Sequence, residues 1–147
     1  MKILFYILPV LIGLAMTIQS GVNAQLRSAV NHPLFAAFLS FSGGLLSLGL
    51  ILLFTRQPLP SWSELSAVSW YKFTGGLLGA FVVTSVIFTV HRIGAANMFV
   101  LIVAGQLITA VLMDHFGLLG LKHAPINMKK MLGILLVIAG AYLVNKK

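Results

Sequence analysis

The chain has 147 residues, 59% hydrophobic and 8% charged, and ten Lys and Arg against two acids give a net charge of +8. Soluble domains carry roughly 25% charged residues, so an ordinary water-soluble fold is excluded. The basic excess does not signal nucleic acid, because the cations flank apolar runs instead of forming a basic domain, and the lack of cysteine excludes disulfides, thiolate metal sites and cysteine nucleophiles.

A bilayer core of roughly 30 Å is crossed by about 20 helical residues. In lipid every backbone polar group needs an internal partner, which leaves helices as the economical solution. Five apolar stretches of suitable length are predicted as spans, at residues 3–22, 34–54, 73–90, 95–113 and 131–144. The expected fold is an all-α integral membrane protein, one transmembrane domain over residues 1–147.

The first span begins after Lys2 and ends near Val22-Asn23-Ala24, a small-residue pattern that a secretory signal could share. The run is long for a signal core and holds Thr17, Gln19 and Ser20 inside it, so the segment is expected to be retained. Gln19, Asn23 and Arg27 recur every four residues and advance about 40° per step, forming one stripe with Ser20 beside it. A polar stripe on a membrane helix faces another helix or a cavity. The first reading is interhelical hydrogen bonding at about 1 kcal/mol per bond; the second makes Gln19, Ser20 and Asn23 candidate substrate-binding residues. The segment QSGVNAQLRSAVNHP is expected to break the helix, with Pro33 opening the next one.

The second span carries Ser40, Gly43, Gly44 and Ser47, small residues that let helix backbones approach. In the long connection Thr55–Tyr71, Ser61 or Ser63 is expected to cap a short interfacial helix, and Trp62 and Trp70 suit the headgroup belt. The third span has Gly75 and Gly79 in GxxxG spacing, again a packing signal. His91-Arg92-Ile93-Gly94 reads as a tight turn. The fourth span holds Gln106 beside Gly105, a further candidate for the substrate site, and closes on Asp114-His115. A connection over Gly117–Lys130 leads to the last span, where Gly133 and Gly140 are packing candidates.

Asp114 is the more informative of the two acids, since Glu64 falls in a connection. Acids at membrane depth are costly and face an interior, pair with a cation or carry protons. Two readings stay open: pairing with Lys72, Lys122 or Lys129, or a coupling or gating role. Asp114 and His115 point about 100° apart on a helix and have no third ligand in register, so no metal site is assigned. No catalytic residue and no cofactor is assigned either.

Basic flanks set orientation. Lys2, Arg56, Lys72, Lys122, Lys129 and Lys130 lie on the N-terminal side, and Arg27, Arg92, Lys146 and Lys147 opposite. Six against four is a small bias that also permits insertion both ways round. With alternating spans, Arg27 and Arg92 share one face of the membrane and Asp114 the other, so an inverted pair of chains would bring Asp114 of one copy to the side of Arg27 and Arg92 of the other. This motivates Arg27 and Arg92, with Asp114, as candidate gating residues, and an antiparallel dimer as the expected assembly.

NAQLR (Asn23–Arg27), Pro33 with SFSGG (Ser40–Gly44), WYKFTGGLLG (Trp70–Gly79) and RIGAA…AGQLITAVLMDHFGLLG (Arg92–Gly120), together with the terminal MLGILLVIAGAYLV, resemble the YdcZ-type family. That family is the small, single-repeat branch of the drug/metabolite transporter superfamily. One departure is His91-Arg92, where a proline is expected before the arginine. The resemblance implies a multi-pass plasma-membrane (bacterial inner-membrane) protein equivalent to one EamA-like half of a ten-span transporter. Two copies, or a copy and a paralogue, would form inverted repeats around a midplane site. Its first span lacks the membrane-embedded glutamate of four-span multidrug exporters, so their cation-for-proton exchange does not transfer. The leading expectation is a secondary transporter or exporter of small organic molecules, partnered by the bilayer and an inverted copy, with no nucleic acid. The rivals are a non-transporting subunit that stabilises another membrane complex, and a membrane enzyme, which has no evident catalytic set.

Overall fold

A computed structural model describes residues 3–146. Lys2 and Lys147, two of the flanking cations used for orientation above, lie outside the described residues. Among the described residues all regular structure is helical.

The first helix, α1 (Leu4–Val30), runs eight residues beyond the expected end, straight through the segment read as a break. Gly21, Asn23 and Ser28 are poor helix formers, yet each is tolerated singly in a long helix. The stop comes at Asn31, which takes the left-handed conformation at φ 52°, a role asparagine shares with glycine. Pro33 then disfavours helix at the residue before it, and His32 is extended, its Nδ1 accepting from the Phe35 N–H at 3.2 Å. Pro33 opens α2 (Pro33–Thr55) as expected.

Ser61 caps the short helix α3 (Trp62–Ser66). Its Oγ accepts from the Glu64 N–H at 3.3 Å while the Glu64 carboxylate accepts from the Ser61 N–H at 2.7 Å, a reciprocal capping box. A 3-10 turn over Trp70–Phe73 leads into α4 (Thr74–Ile93). The expected turn His91-Arg92-Ile93-Gly94 is instead the last helical turn of α4, and Gly94 alone, at φ 81°, leaves the helix. Helix α5 (Ala95–Phe116) follows, then a 3-10 turn over Leu118–Gly120, then α6 (Met128–Asn145). Asn127 starts α6 three residues before the expected position, its side-chain oxygen accepting from the Lys130 N–H at 2.9 Å.

Among the described residues, five helices are long and apolar enough to cross a membrane: Leu4–Val30, Pro33–Thr55, Trp70–Ile93, Ala95–Phe116 and Met128–Asn145. No more than 11% of the residues in any of their apolar windows are buried. Leu45, Leu53, Phe54, Phe81 and Leu143 are among many large apolar side chains left exposed, an arrangement water does not tolerate and lipid does. The protein is an all-α integral membrane protein.

The chain divides into two compact units, Met1–His91 and Arg92–Lys147. In the first, α1 packs on α2, and Ala36, Ala37 and Ile87 form a small core with Leu26, Val30 and Val83 against it. These residues come from the end of α1, the start of α2 and the middle of α4. In the second unit α5 and α6 pack along each other, burying Met98, Val111 and Ala141. There the Asn145 amide donates to the carbonyl of Ala141 at 2.9 Å and to that of Asn97 at 3.5 Å, joining the end of α6 to the start of α5.

Candidate functional site

The polar stripe of α1 divides into a buried part and an open part. Ser20 and Asn23 are 2% and 4% exposed, and the Ser20 hydroxyl has no hydrogen-bond partner among the described residues. Unpaired hydroxyls away from water cost about 1–3 kcal/mol, so the α1 stripe holds a locally unsatisfied point. Gln19 faces a groove of about 300 Å³ in the first unit, lined also by Ser40, Phe41, Gly44, Leu45, Leu48 and Val83. Helices α1, α2 and α4 all contribute. The sequence offers Ser40 only as a small packing residue and gives Phe41 no role; the Ser-Phe-Ser-Gly-Gly run is the available signal for their place on the groove.

Eight residues beyond Gln19, and so about 12 Å along the axis, Arg27 is half-buried. Its Nη1 donates to the Ile87 carbonyl oxygen at 3.2 Å, and its guanidinium lies 5.8 Å from the Phe88 ring centroid. A contact comes back from α4: His91 Nε2 lies 3.3 Å from the Ala24 carbonyl oxygen. A carbonyl only accepts, so this nitrogen carries the ring hydrogen. The same Ala24 oxygen also accepts from the Ser28 hydroxyl at 3.2 Å. Arg27 and His91 thus clasp the ends of α1 and α4 in opposite directions.

In the second unit Asp114 is half-buried near the end of α5. Its backbone carbonyl accepts from the Ala124 N–H at 2.8 Å and from the Gly117 N–H at 3.4 Å. His115 Nδ1 accepts from the Ile126 N–H at 3.2 Å, which puts its ring hydrogen on Nε2. Lys130 Nζ donates to the Ala124 carbonyl at 2.8 Å. The Asp114-His115 pair therefore pins the connection to α6, a contact with no spacing signature because it runs to backbone. Gln106 is exposed on α5, and Arg92 is exposed at the end of α4.

Among the packing glycines, a Cβ at Gly79 would touch the Phe41 ring at 3.5 Å. One at Gly43, Gly44, Gly75, Gly133 or Gly140 would meet nothing within 4 Å. No group of three or more metal-ligating side chains occurs among the described residues.

A family model described as "Putative inner membrane exporter, YdcZ" matches residues 4–143. The inner membrane protein YdcZ of Escherichia coli strain K12 is 29% identical over 136 residues, which cover 92% of this chain and 90% of that protein. No solved structure matches the chain.

Proposed function

The chain belongs to the YdcZ family of multi-pass inner-membrane proteins, and from that premise we propose that it carries small organic molecules across the membrane by alternating access, as an antiparallel pair. The observation that carries the reading is Gln19 with Ser40 on the walls of an otherwise apolar groove in the membrane-spanning part of the first unit. A carboxamide on a lipid-spanning helix is costly unless something polar meets it, and cargo can do so.

In this reading the five spans act as one transmembrane domain, half of a ten-span transporter. The small buried fraction of each span and the open faces at Gly43, Gly44, Gly75, Gly133 and Gly140 fit a second copy, or a paralogue, in inverted orientation. Gln19, Ser20, Asn23 and Gln106 contribute to cargo binding. Asp114 couples or gates, and Arg27 and Arg92 gate the opposite end; no residue has a catalytic role.

Flux of a panel of small metabolites into proteoliposomes tests the proposal. Saturable uptake is expected, with Asp114→Asn changing its rate or pH dependence. Uptake that keeps full rate and pH profile in Asp114→Asn removes the coupling role. Absence of saturable flux for every candidate favours a non-transporting subunit.

A further inference from the structure

The groove of the first unit also bears on what kind of cargo is accepted, an inference that rests on the transport reading. Around its volume of about 300 Å³ stand Phe41, Leu45, Leu48 and Val83, one carboxamide from Gln19 and one hydroxyl from Ser40. That volume is at the small end of ligand pockets, which run from about 300 to 1,000 Å³. None of the lining residues is charged. The one cation on α1 among the described residues, Arg27, is engaged by the Ile87 carbonyl and the Phe88 ring, about 12 Å further along the helix than Gln19. A ligand carrying a full charge would shed its water here with no counter-ion on the groove wall, which membrane interiors penalise heavily.

The two polar groups share one property. A primary carboxamide and a hydroxyl each both donate and accept hydrogen bonds, so together they match a neutral alcohol or amide in either sense. Phe41 offers an aromatic ring to an apolar body, and Gly44 leaves the wall between Phe41 and Leu48 without a side chain. We infer that this groove binds an uncharged amphiphile, a single-ring-sized apolar body with one hydroxyl or amide group held by Gln19 and Ser40. Weakly acidic or basic cargo enters it in the neutral form. A lipid acyl chain is the competing occupant, and it needs neither polar group.

Equilibrium binding separates the cases. The full chain in phosphatidylcholine nanodiscs is titrated at pH 7 with 4-phenylbutanol, 4-phenylbutyrate and 4-phenylbutylamine, which share a body and differ in charge, with empty nanodiscs as reference. The alcohol is expected to bind at least about a hundredfold more tightly than either ion. Gln19→Leu, close in size and exposed on the groove, is expected to weaken the alcohol about tenfold and Ser40→Ala severalfold. Comparable affinity for an ion, no saturable binding of the alcohol, or alcohol affinity unchanged in both variants overturns the inference, the last result identifying a lipid-tail groove. Gln19-dependent alcohol binding without flux of the same alcohol in proteoliposomes upholds the binding class and removes the transport reading.

Discussion

The Arg27 guanidinium reaches from α1 to the Ile87 carbonyl oxygen at 3.2 Å while its central carbon lies over the neighbouring Phe88 ring, 5.8 Å from the centroid. Ile87 itself is fully buried, packed with Ala36 and Ala37 of α2. One α4 segment therefore anchors three helices, through its side chain on one face and its carbonyl on another. An arginine suits this position because its several N–H donors and flat face satisfy a carbonyl and a ring together.

Replacing Arg27 with glutamine removes a charge-assisted hydrogen bond and a cation–π contact. The expected loss is about 1.5–3 kcal/mol, and thermal unfolding in detergent micelles reads it. Arg27→Lys should fall between, since a point charge reproduces only part of the fork. An unchanged melting curve for Arg27→Gln would show that the clasp contributes nothing.

Truncating Ile87 tests the core beneath the clasp. The site is 0% exposed, so Ile87→Ala leaves a cavity that neither water nor lipid fills readily, with an expected cost of about 2–5 kcal/mol. Leu45→Ala, at a site 73% exposed, should cost far less in the same assay.

The capping box of α3 responds to pH. Hydrogen bonds from the Ser61 hydroxyl, and then from its backbone N–H, hold the Glu64 carboxyl below its ordinary 4.5. A depressed value means the ionised form is favoured in the folded helix. The stabilisation is present above the ordinary value and is lost as pH falls through the folded one. Protection of the Trp62–Ser66 amides, measured relative to the intrinsic exchange rate that itself slows toward acid, should fall as the carboxyl is protonated. Glu64→Gln should weaken the protection at neutral pH and flatten its response to acid.

Backbone strain in the α5–α6 connection gives a pair of opposite effects. Gly117 and Leu119 both hold positive φ, 61° and 55°. Gly117→Ala is expected to destabilise by about 1 kcal/mol, and Leu119→Gly to stabilise by about 0.5–1 kcal/mol as relief of the left-handed strain exceeds the added chain entropy. Thermal melts of the two variants should shift in opposite directions.

The chain has no cysteine, so a single Lys146→Cys variant carries one thiol for membrane-impermeant labelling. An antiparallel homodimer exposes that thiol on both sides of the membrane. Labelling from one side alone removes the homodimer and leaves pairing with a paralogue.

Much of the local structure was legible because its causes are local. Pro33 opens α2 and Ser61 with Glu64 caps α3 through contacts spanning three residues or fewer. The ends of α1 and α4 lie beyond their expected positions for one reason. Gly21, Asn23 and His91-Arg92-Ile93 permit a turn without compelling one, and α1 and α4 end where φ turns positive, at Asn31 and Gly94. The stripe of Gln19, Asn23 and Arg27 was visible as a period, but not which member would face a groove, be buried or cross to another helix.

By itself, then, the sequence determined that five segments enter lipid, that Pro33 and Ser61 open α2 and α3 and that a polar stripe runs along the first span, because chain length, hydrophobic transfer and capping act within a few neighbouring residues. Only the tertiary structure decided that Arg27 engages Ile87, that His115 receives the Ile126 N–H and that Gln19 and Ser40 share a groove. In the first two cases the partner is a backbone group that every residue offers, and in the third it lies on a different helix. No spacing in the chain can encode such a choice; packing selects it.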